Sequence, residues 1–277
     1  MTPSPDRLAE IARQAVTIGT DLIKTTRPQT VIEKADRDTF TDVDLRIEHE
    51  IRAYLAKITP EIGFIGEEGG ADDQTADSDL HWSLDPVDGT ANLVHGVPLC
   101  GVSLGLMQGD RAIVAAIALP YADLHYTAAH GHGAYVNGRP IRVSTTAEPS
   151  KAMVAIGDHA TGEDSHEKNK QRIALTAALA AQVERIRMFG SAAHDLTWLA
   201  EGRIDAAVIM SNKTHDIAAG VLIAREAGAI ALDSTGREHT SAATHTIAAA
   251  PSIAEPLLSL VQAGIGIEPS QLPNTAL

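Results

Sequence analysis

The sequence predicts a layered α/β fold, and three observations predict it. Beyond residue 150, short apolar β-type runs alternate with helix-length segments, the pattern of sheets covered by helices. Residues 100–143 break into short β-type runs separated by turn residues, the pattern of an antiparallel meander. Ahead of both, two amphipathic helices lead into short strands that run straight into carboxylates. The 277 residues are expected to form one domain, 1–277. Its two subdomains, roughly 1–145 and 146–268, follow one another without a long Gly/Ser linker.

The elements follow in order. Residues 6–26 read as a helix, because Leu8, Ile11, Ala12, Ala15, Ile18, Gly19 and Leu22 recur at helical spacing. Arg27-Pro28 ends it. Residues 43–58 read as a second helix on Leu45, Ile47, Ile51, Tyr54, Leu55 and Ile58. Residues 64–65 and 82–84 are short strands. Strands are expected at 100–108, 111–119, 123–129 and 133–143, with Asn137-Gly138 as a hairpin signal. After residue 150 the order is strand 154–156, helix 166–182, strand 184–188, helix 191–201, strand 205–210 and helix 216–227. Strands 229–232 and 245–249 and helix 253–264 complete it. Residues 71–79 read as an acidic surface loop, and residues 269–277 as a flexible tail.

Composition narrows the function. Hydrophobic residues make up 44% of the chain but aromatics only 3%, so Ala, Val, Ile and Leu must fill the core. No run approaches the roughly 18 apolar residues of a membrane span. Residues 1–10 are polar, without the apolar centre of a signal peptide, so a cytoplasmic protein is expected. The lone Cys100 lies in an apolar run and reads as a structural thiol. With 22 Lys and Arg against 36 Asp and Glu, the net charge of −14 argues against nucleic-acid binding. It leaves an anionic small substrate open, because a bound divalent ion reverses the local potential of an acidic pocket.

The chemistry concentrates in Leu84-Asp85-Pro86-Val87-Asp88-Gly89-Thr90. Asp85 and Asp88 offer hard oxygen ligands, with the Val87 carbonyl between them. The N–H groups from Gly89 onward open a helix and can face a phosphate. Alone, Asp-Pro-x-Asp-Gly is a common turn. Two further segments place acids beside glycine-rich turns: Gly66-Glu67-Glu68-Gly69-Gly70 and His215-Asp216-Ile217-Ala218-Ala219-Gly220. A weaker set gathers Lys34, Asp38, Thr41, Asp42 and Asp44. Read singly, Glu67-Glu68 is a solvated acidic loop, Asp216 a helix cap and Asp44 a helix-start charge. No HExxH pattern occurs, and His81, His95, His125, His130 and His132 read as surface or packing residues.

Together, the three motifs resemble the inositol monophosphatase family, a group of Mg²⁺-dependent, lithium-sensitive phosphomonoesterases. The resemblance spans roughly residues 6–264. It includes Gly131-His132-Gly133-Ala134 with Asn137-Gly138, and Gly190-Ser191-Ala192-Ala193. It implies a layered αβαβα sandwich, a homodimer and two or three Mg²⁺ ions, with Mn²⁺ as a substitute. It implies Glu67, Asp85, the Val87 carbonyl, Asp88 and Asp216 as metal ligands. Asp85 would bridge two ions, Glu67 would serve the water-activating one, and Asp88 and Asp216 the leaving-group side. Thr90, paired with Asp44, would orient the attacking water. Lys34 and Asp38 would form a polar loop over the metals. Asp88, Gly89, Thr90, Ser191, Ala192, Ile209 and Asp216 would line the phosphate and substrate.

Direct attack by water needs no Ser, Cys or His nucleophile, and neutralising the phosphate oxygens is its main demand. Two departures from the family pattern stand out. His215 occupies a position where the family usually has tryptophan. Ile209 occupies that of a substrate-binding glutamate, and an isoleucine accepts no hydrogen bond from a polyol. Val87 and Ser191 are mild changes, and Asp158, His159, Ser211, Asn212 and Lys213 are candidate specificity residues. The expected reaction is hydrolysis of a small phosphate monoester, inositol 1-phosphate by default. Histidinol phosphate, a sugar phosphate or a nucleotide-derived phosphate are the alternatives. A regulatory binding protein without turnover is a reading of another class. The apolar meander is a candidate dimer surface, though the sequence itself shows no interface.

Overall fold

Ser4 caps the first helix, α1 (Pro5–Thr25), by accepting from the Arg7 N–H, and Pro5 presets the first turn. Leu8, Ile11, Ala15, Val16 and Ile23 form its buried stripe. Thr41 caps α2 (Asp42–Ile58) in a reciprocal capping box with Asp44. The structure, a computed structural model, describes residues 3–72 and 79–266. The expected tail 269–277 and most of the expected loop 71–79 lie outside the described residues.

Eight strands form the larger sheet: β3 (Gly63–Gly66), β4 (Gly70–Ala71), β5 (Leu80–Asp88), β6 (Gly101–Gln108), β7 (Arg111–Leu119), β8 (Leu124–Ala129), β9 (Gly133–Val136) and β10 (Arg139–Pro140), in the order β10-β9-β8-β7-β6-β5-β3-β4. The meander from β5 to β10 is antiparallel, and β3 joins β5 in parallel. The smaller sheet has five strands: β11 (Met153–Ile156), β12 (Arg185–Arg187), β13 (Ala206–Ile209), β14 (Ile230–Leu232) and β15 (Thr246–Ala249), in the order β12-β11-β13-β15-β14.

Helices fill the remaining layers. The pair α1 and α2 covers one face of the large sheet. Between the two sheets lie α5 (Ala192–Ala200) and α6 (Thr214–Glu226), and α4 (Ser165–Ala180) packs with α7 (Pro251–Ile265) on the far side of the small sheet. The result is the αβαβα sandwich. Strand β7 shows how both faces are served: Val114, Ala116 and Ala118 enter the core under α1 and α2, while Ala115, Ile117 and Leu119 enter the central core. Helix α6 is buried continuously from Ile217 to Ala224. Small residues make that tight seat workable, since a Cβ on Gly220 would lie 2.7 Å from the Leu196 Cβ.

Three local differences from the sequence expectations have physical causes. The strand expected at 82–84 extends through the acidic motif to Asp88. Pro86 has no N–H to give the ladder, so the register slips between the pairs Asp85↔Ser103 and Asp88↔Gly101, a bulge rather than a free turn. The run 133–143 is itself a hairpin, turning at Asn137 (φ 48°) and Gly138 (φ 75°) and leaving the sheet after Pro140. A hairpin of β1 (Val31–Ala35) and β2 (Asp38–Thr41) had no periodicity signal, because all of β1 is exposed.

Candidate active site

Strand β5 delivers the acidic motif to the end of the large sheet, and the bulge at Pro86 turns its side chains toward three other elements. Asp85 is 3% exposed, and its Oδ1 accepts from the Val87 N–H at 3.0 Å. Burial pushes its carboxyl well above the ordinary range, and Glu67, Asp88, Asp216 and Asp44 add to the shift. Asp88 is buried at the N-terminus of α5. Its carboxylate accepts from Ser191 Oγ at 2.7 Å, the Ala192 N–H at 3.2 Å and the Ala193 N–H. Burial outweighs those donors and raises Asp88 to about 7.

Gly89 follows with φ 88°, a left-handed conformation that lets α3 (Thr90–His95) start at once. A Cβ there would sit 2.9 Å from the Leu99 carbonyl and 3.0 Å from the Gly190 carbonyl. Thr90 Oγ1 lies 3.0 Å from Asp44 Oδ1 and 2.9 Å from the Val87 carbonyl. Asp44 Oδ2 receives the Thr41 N–H and hydroxyl. Burial raises the Asp44 carboxyl against these donors.

Glu67 leaves β3 through an N–H bond to the Leu84 carbonyl at 3.1 Å. Its Oε1 meets Lys34 Nζ at 3.1 Å, Lys213 Nζ at 3.2 Å and His215 Nε2 at 3.7 Å. Burial pushes Glu67 upward, but His215, Lys213 and Lys34 prevail and hold it well below the usual carboxylate range. Glu68 pairs with Lys34 Nζ at 2.6 Å, with its side chain covered. In the first turn of α6, Asp216 is partly buried; burial raises it to about 6. His215 Nε2 stands 3.1 Å from Asp216 Oδ1.

Asp85 therefore lies within electrostatic reach of Glu67, Asp88, Asp216 and Asp44, and Thr90 touches both Asp44 and the Val87 carbonyl. The donor chemistry fits a divalent metal. The carboxyls of Asp85, Asp88 and Asp216 are driven upward by burial and mutual repulsion, which an added cation relieves. Glu67, His215 and Asp216 each offer a ligand atom, and these lie within 4.8 Å of one another.

A cavity of about 380 Å³ opens beside this cluster. Asp88, Asp216, Ser191, Ala192 and Ile209 line it, as do Asp38 and, among the specificity candidates, Asp158, His159, Ser211 and Lys213. Asn212 instead donates to the Ala243 carbonyl and accepts from Thr246. Ser191 and the Ala192 N–H are both engaged with Asp88. Ile209 also belongs to the central core. Buried Arg172 donates to the Asp158 and Met210 carbonyls, fixing two loops around the cavity.

Two site residues escaped the sequence reading. Glu48, buried on α2, accepts from the Glu68 and Gly69 N–H groups, each at 2.9 Å, and pairs with Arg52 at 3.0 Å. It holds the loop that carries Glu67. Its signal was available: Asp44 and Glu48 fall on the same helical stripe as Ile51 and Leu55. Asp195 lines the cavity fully buried, with Oδ1 lacking a hydrogen-bond partner among the described residues.

Comparison with known proteins finds similarity along nearly the whole chain. A sequence profile of the inositol monophosphatase family matches residues 4–265. The inositol-1-monophosphatase SuhB of Mycobacterium tuberculosis is 40% identical over 239 residues, 84% of this chain and 81% of that protein. A protein of Aquifex aeolicus named fructose-1,6-bisphosphatase/inositol-1-monophosphatase is 34% identical over 225 residues, 80% of this chain and 83% of its own. Among solved structures, the extragenic suppressor protein suhB of Bartonella henselae superposes with a TM-score of 0.84 at 29% identity, covering 94% of this chain and all of that one (100%).

Proposed function

The chain belongs to the inositol monophosphatase family, whose members are phosphoric monoester hydrolases, and we propose that it hydrolyses a small phosphorylated alcohol, inositol 1-phosphate by default. One observation carries the reading: the Thr90–Asp44 pair stands beside the buried carboxylates of Asp85 and Asp88. Glu67, Asp85, the Val87 carbonyl, Asp88 and Asp216 would hold two or three Mg²⁺ ions, with Mn²⁺ as a substitute. Bound there, the metal supplies charge for the phosphate oxygens and a lowered pKa for water.

The chain's own groups do the rest. Asp44 holds Thr90 Oγ1 as a donor, which leaves the threonine oxygen's lone pairs to accept from a water and aim it. Raised by burial, the Asp44 carboxyl is suited to taking the proton relayed through that hydroxyl. Ser191 and the start of α5 keep Asp88 in place. Gly89 and Thr90 would bring N–H groups to the phosphate.

The leaving group meets the cavity wall around Ile209. Its apolar side chain favours an alcohol with fewer hydroxyls than inositol at that wall, which keeps histidinol phosphate, sugar phosphates and nucleotide-derived phosphates as the second reading. We take the protein to act in the cytoplasm as a homodimer, without nucleic-acid or membrane partners. No helix among the described residues is long and apolar enough to cross a membrane.

Phosphate release from a panel of these esters, with and without Mg²⁺, tests the reading. Mg²⁺-dependent turnover abolished by Asp85→Asn is expected. Turnover of histidinol phosphate without inositol 1-phosphate would replace the default substrate. No activity on the whole panel, unchanged by Asp85→Asn, would favour a regulatory binding protein.

A further inference from the structure

We propose that His215 is a nitrogen ligand of the metal site and that it biases the site toward Mn²⁺ over Mg²⁺. The proposal deepens the metal-dependent reading above and rests on its metal site, though not on the identity of the substrate.

The geometry around Nε2 carries the argument. The atom is shielded from solvent and has no hydrogen-bond partner among the described residues. It nevertheless faces two carboxylate oxygens, Asp216 Oδ1 at 3.1 Å and Glu67 Oε1 at 3.7 Å. A buried ring nitrogen between two acids, without a directed hydrogen bond to either, is an unfinished arrangement. One cation shared by the three atoms completes it. Ligand atoms about 2.1 Å from an octahedral ion stand about 3 Å apart, close to the His215–Asp216 separation.

The backbone that carries the ring is itself anchored. His215 lies in the first turn of α6 beside Asp216, and its carbonyl accepts from Ser103 Oγ on β6 at 3.4 Å. Three nitrogen groups, from Lys34, Lys213 and His215, surround Glu67 Oε1. The lysines carry no lone pair while charged, whereas a neutral imidazole does. A neutral His215 is therefore the one among them able to bind a metal, whereas the charged form that holds Glu67 low only competes with it. Nitrogen ligands gain affinity along the first-row transition series, which Mn²⁺ opens at its weak end, whereas Mg²⁺ is held by oxygen. An indole at this position would offer no such lone pair.

The test is pulsed electron paramagnetic resonance of the protein loaded with Mn²⁺, which reads nitrogen bonded to the metal directly. Wild type should show ¹⁴N modulation, and His215→Phe should lose it. The variant is needed because His159 also lines the cavity. Should His215→Phe fail to fold, His215→Trp fills the space without a lone pair. Calorimetric titration should show Mn²⁺ affinity falling about tenfold or more in the variant, with Mg²⁺ affinity changing less than about threefold. Absence of ¹⁴N modulation in wild type, its persistence in the variant, or no Mn²⁺ binding overturns the proposal. A protein that hydrolyses phosphate esters with Mg²⁺ but gives no modulation loses only this ligand. One that gives the modulation but turns over no ester keeps the ligand and loses the phosphatase reading.

Discussion

Thr90 Oγ1 lies 3.0 Å from Asp44 Oδ1, tying the first turn of α3 to that of α2 across 46 residues of chain. The threonine has one proton and two acceptors in reach, so it donates to Asp44 or to the Val87 carbonyl, never both. If the donation to Asp44 aims the attacking water, Thr90→Val lowers kcat about 10²–10³-fold, while Thr90→Ser stays within about tenfold. Steady-state phosphate release on the two variants checks this. Wild-type kcat in Thr90→Val would sink the role.

Glu48 predicts a different defect. Its carboxylate takes the N–H groups on either side of the Glu68–Gly69 bond and has no contact with the cavity. Glu48→Gln exchanges one acceptor oxygen for a donor facing an N–H. The loop bearing Glu67 loosens, and the Mg²⁺ midpoint for activity should rise about tenfold. Activity at saturating Mg²⁺ should recover most of its wild-type value. An unchanged midpoint would separate this loop from the metal site.

Gly89 and Gly109 form a matched pair for stability. Both have positive φ, 88° and 59°, but a Cβ on Gly109 meets nothing within 4 Å. Gly109→Ala should cost only the left-handed strain, about 1 kcal/mol. Gly89→Ala adds a clash with the Leu99 and Gly190 carbonyls and should cost about 2 kcal/mol more. Urea unfolding of the two variants gives the difference directly, and equal costs would mean that the chain relaxes around residue 89.

Proton competition sets the pH dependence. Asp88 is raised to about 7 and Asp216 to about 6, so both hold protons in the folded, metal-free protein where the unfolded chain has lost them. At these two groups folding binds protons, so their contribution to metal-free stability is fully present below about pH 4 and is lost as pH climbs through 6 and 7. Metal must displace those protons, so Mg²⁺ affinity should strengthen steadily from pH 5.5 to 7.5. Melting curves with chelator and with Mg²⁺ should diverge over that interval. A metal-free melting temperature that rises with pH there would contradict the carboxyl assignments.

The first helices and the meander were legible from their apolar residues: α1 and α2 by helical spacing, β6 and β7 as continuous runs buried on both faces and bounded by turn residues. Asp85, Asp88, Glu67 and Asp216 stood out because their three motifs, taken together, resemble one family; singly each reads as a turn, a loop or a cap, and the Gly220 that follows Asp216 lies inside α6 rather than in a turn. The β1–β2 hairpin was not, since the exposed residues of β1 face no core to impose a pattern. Nor was the path of β5 through Asp-Pro-Val-Asp, where neighbouring strands override a local preference for turning. The burial of Glu48 was readable from its helical stripe, but its hold on the Glu68–Gly69 loop and the seating of Asp88 on α5 join separate elements, which no local window contains.

The bond between Asp88 and Ser191 spans 103 residues, and that between Lys213 and Glu67 spans 146. Contacts so distant along the chain carry a large loop-closure cost and are expected to form late in folding. A chain with the meander and its covering helices in place would still lack the acidic pocket. Metal would then have little to grip in the folding transition state, so its stabilisation would slow the rate of unfolding and leave the rate of folding almost untouched. The pocket in that case confers kinetic longevity on the loaded protein.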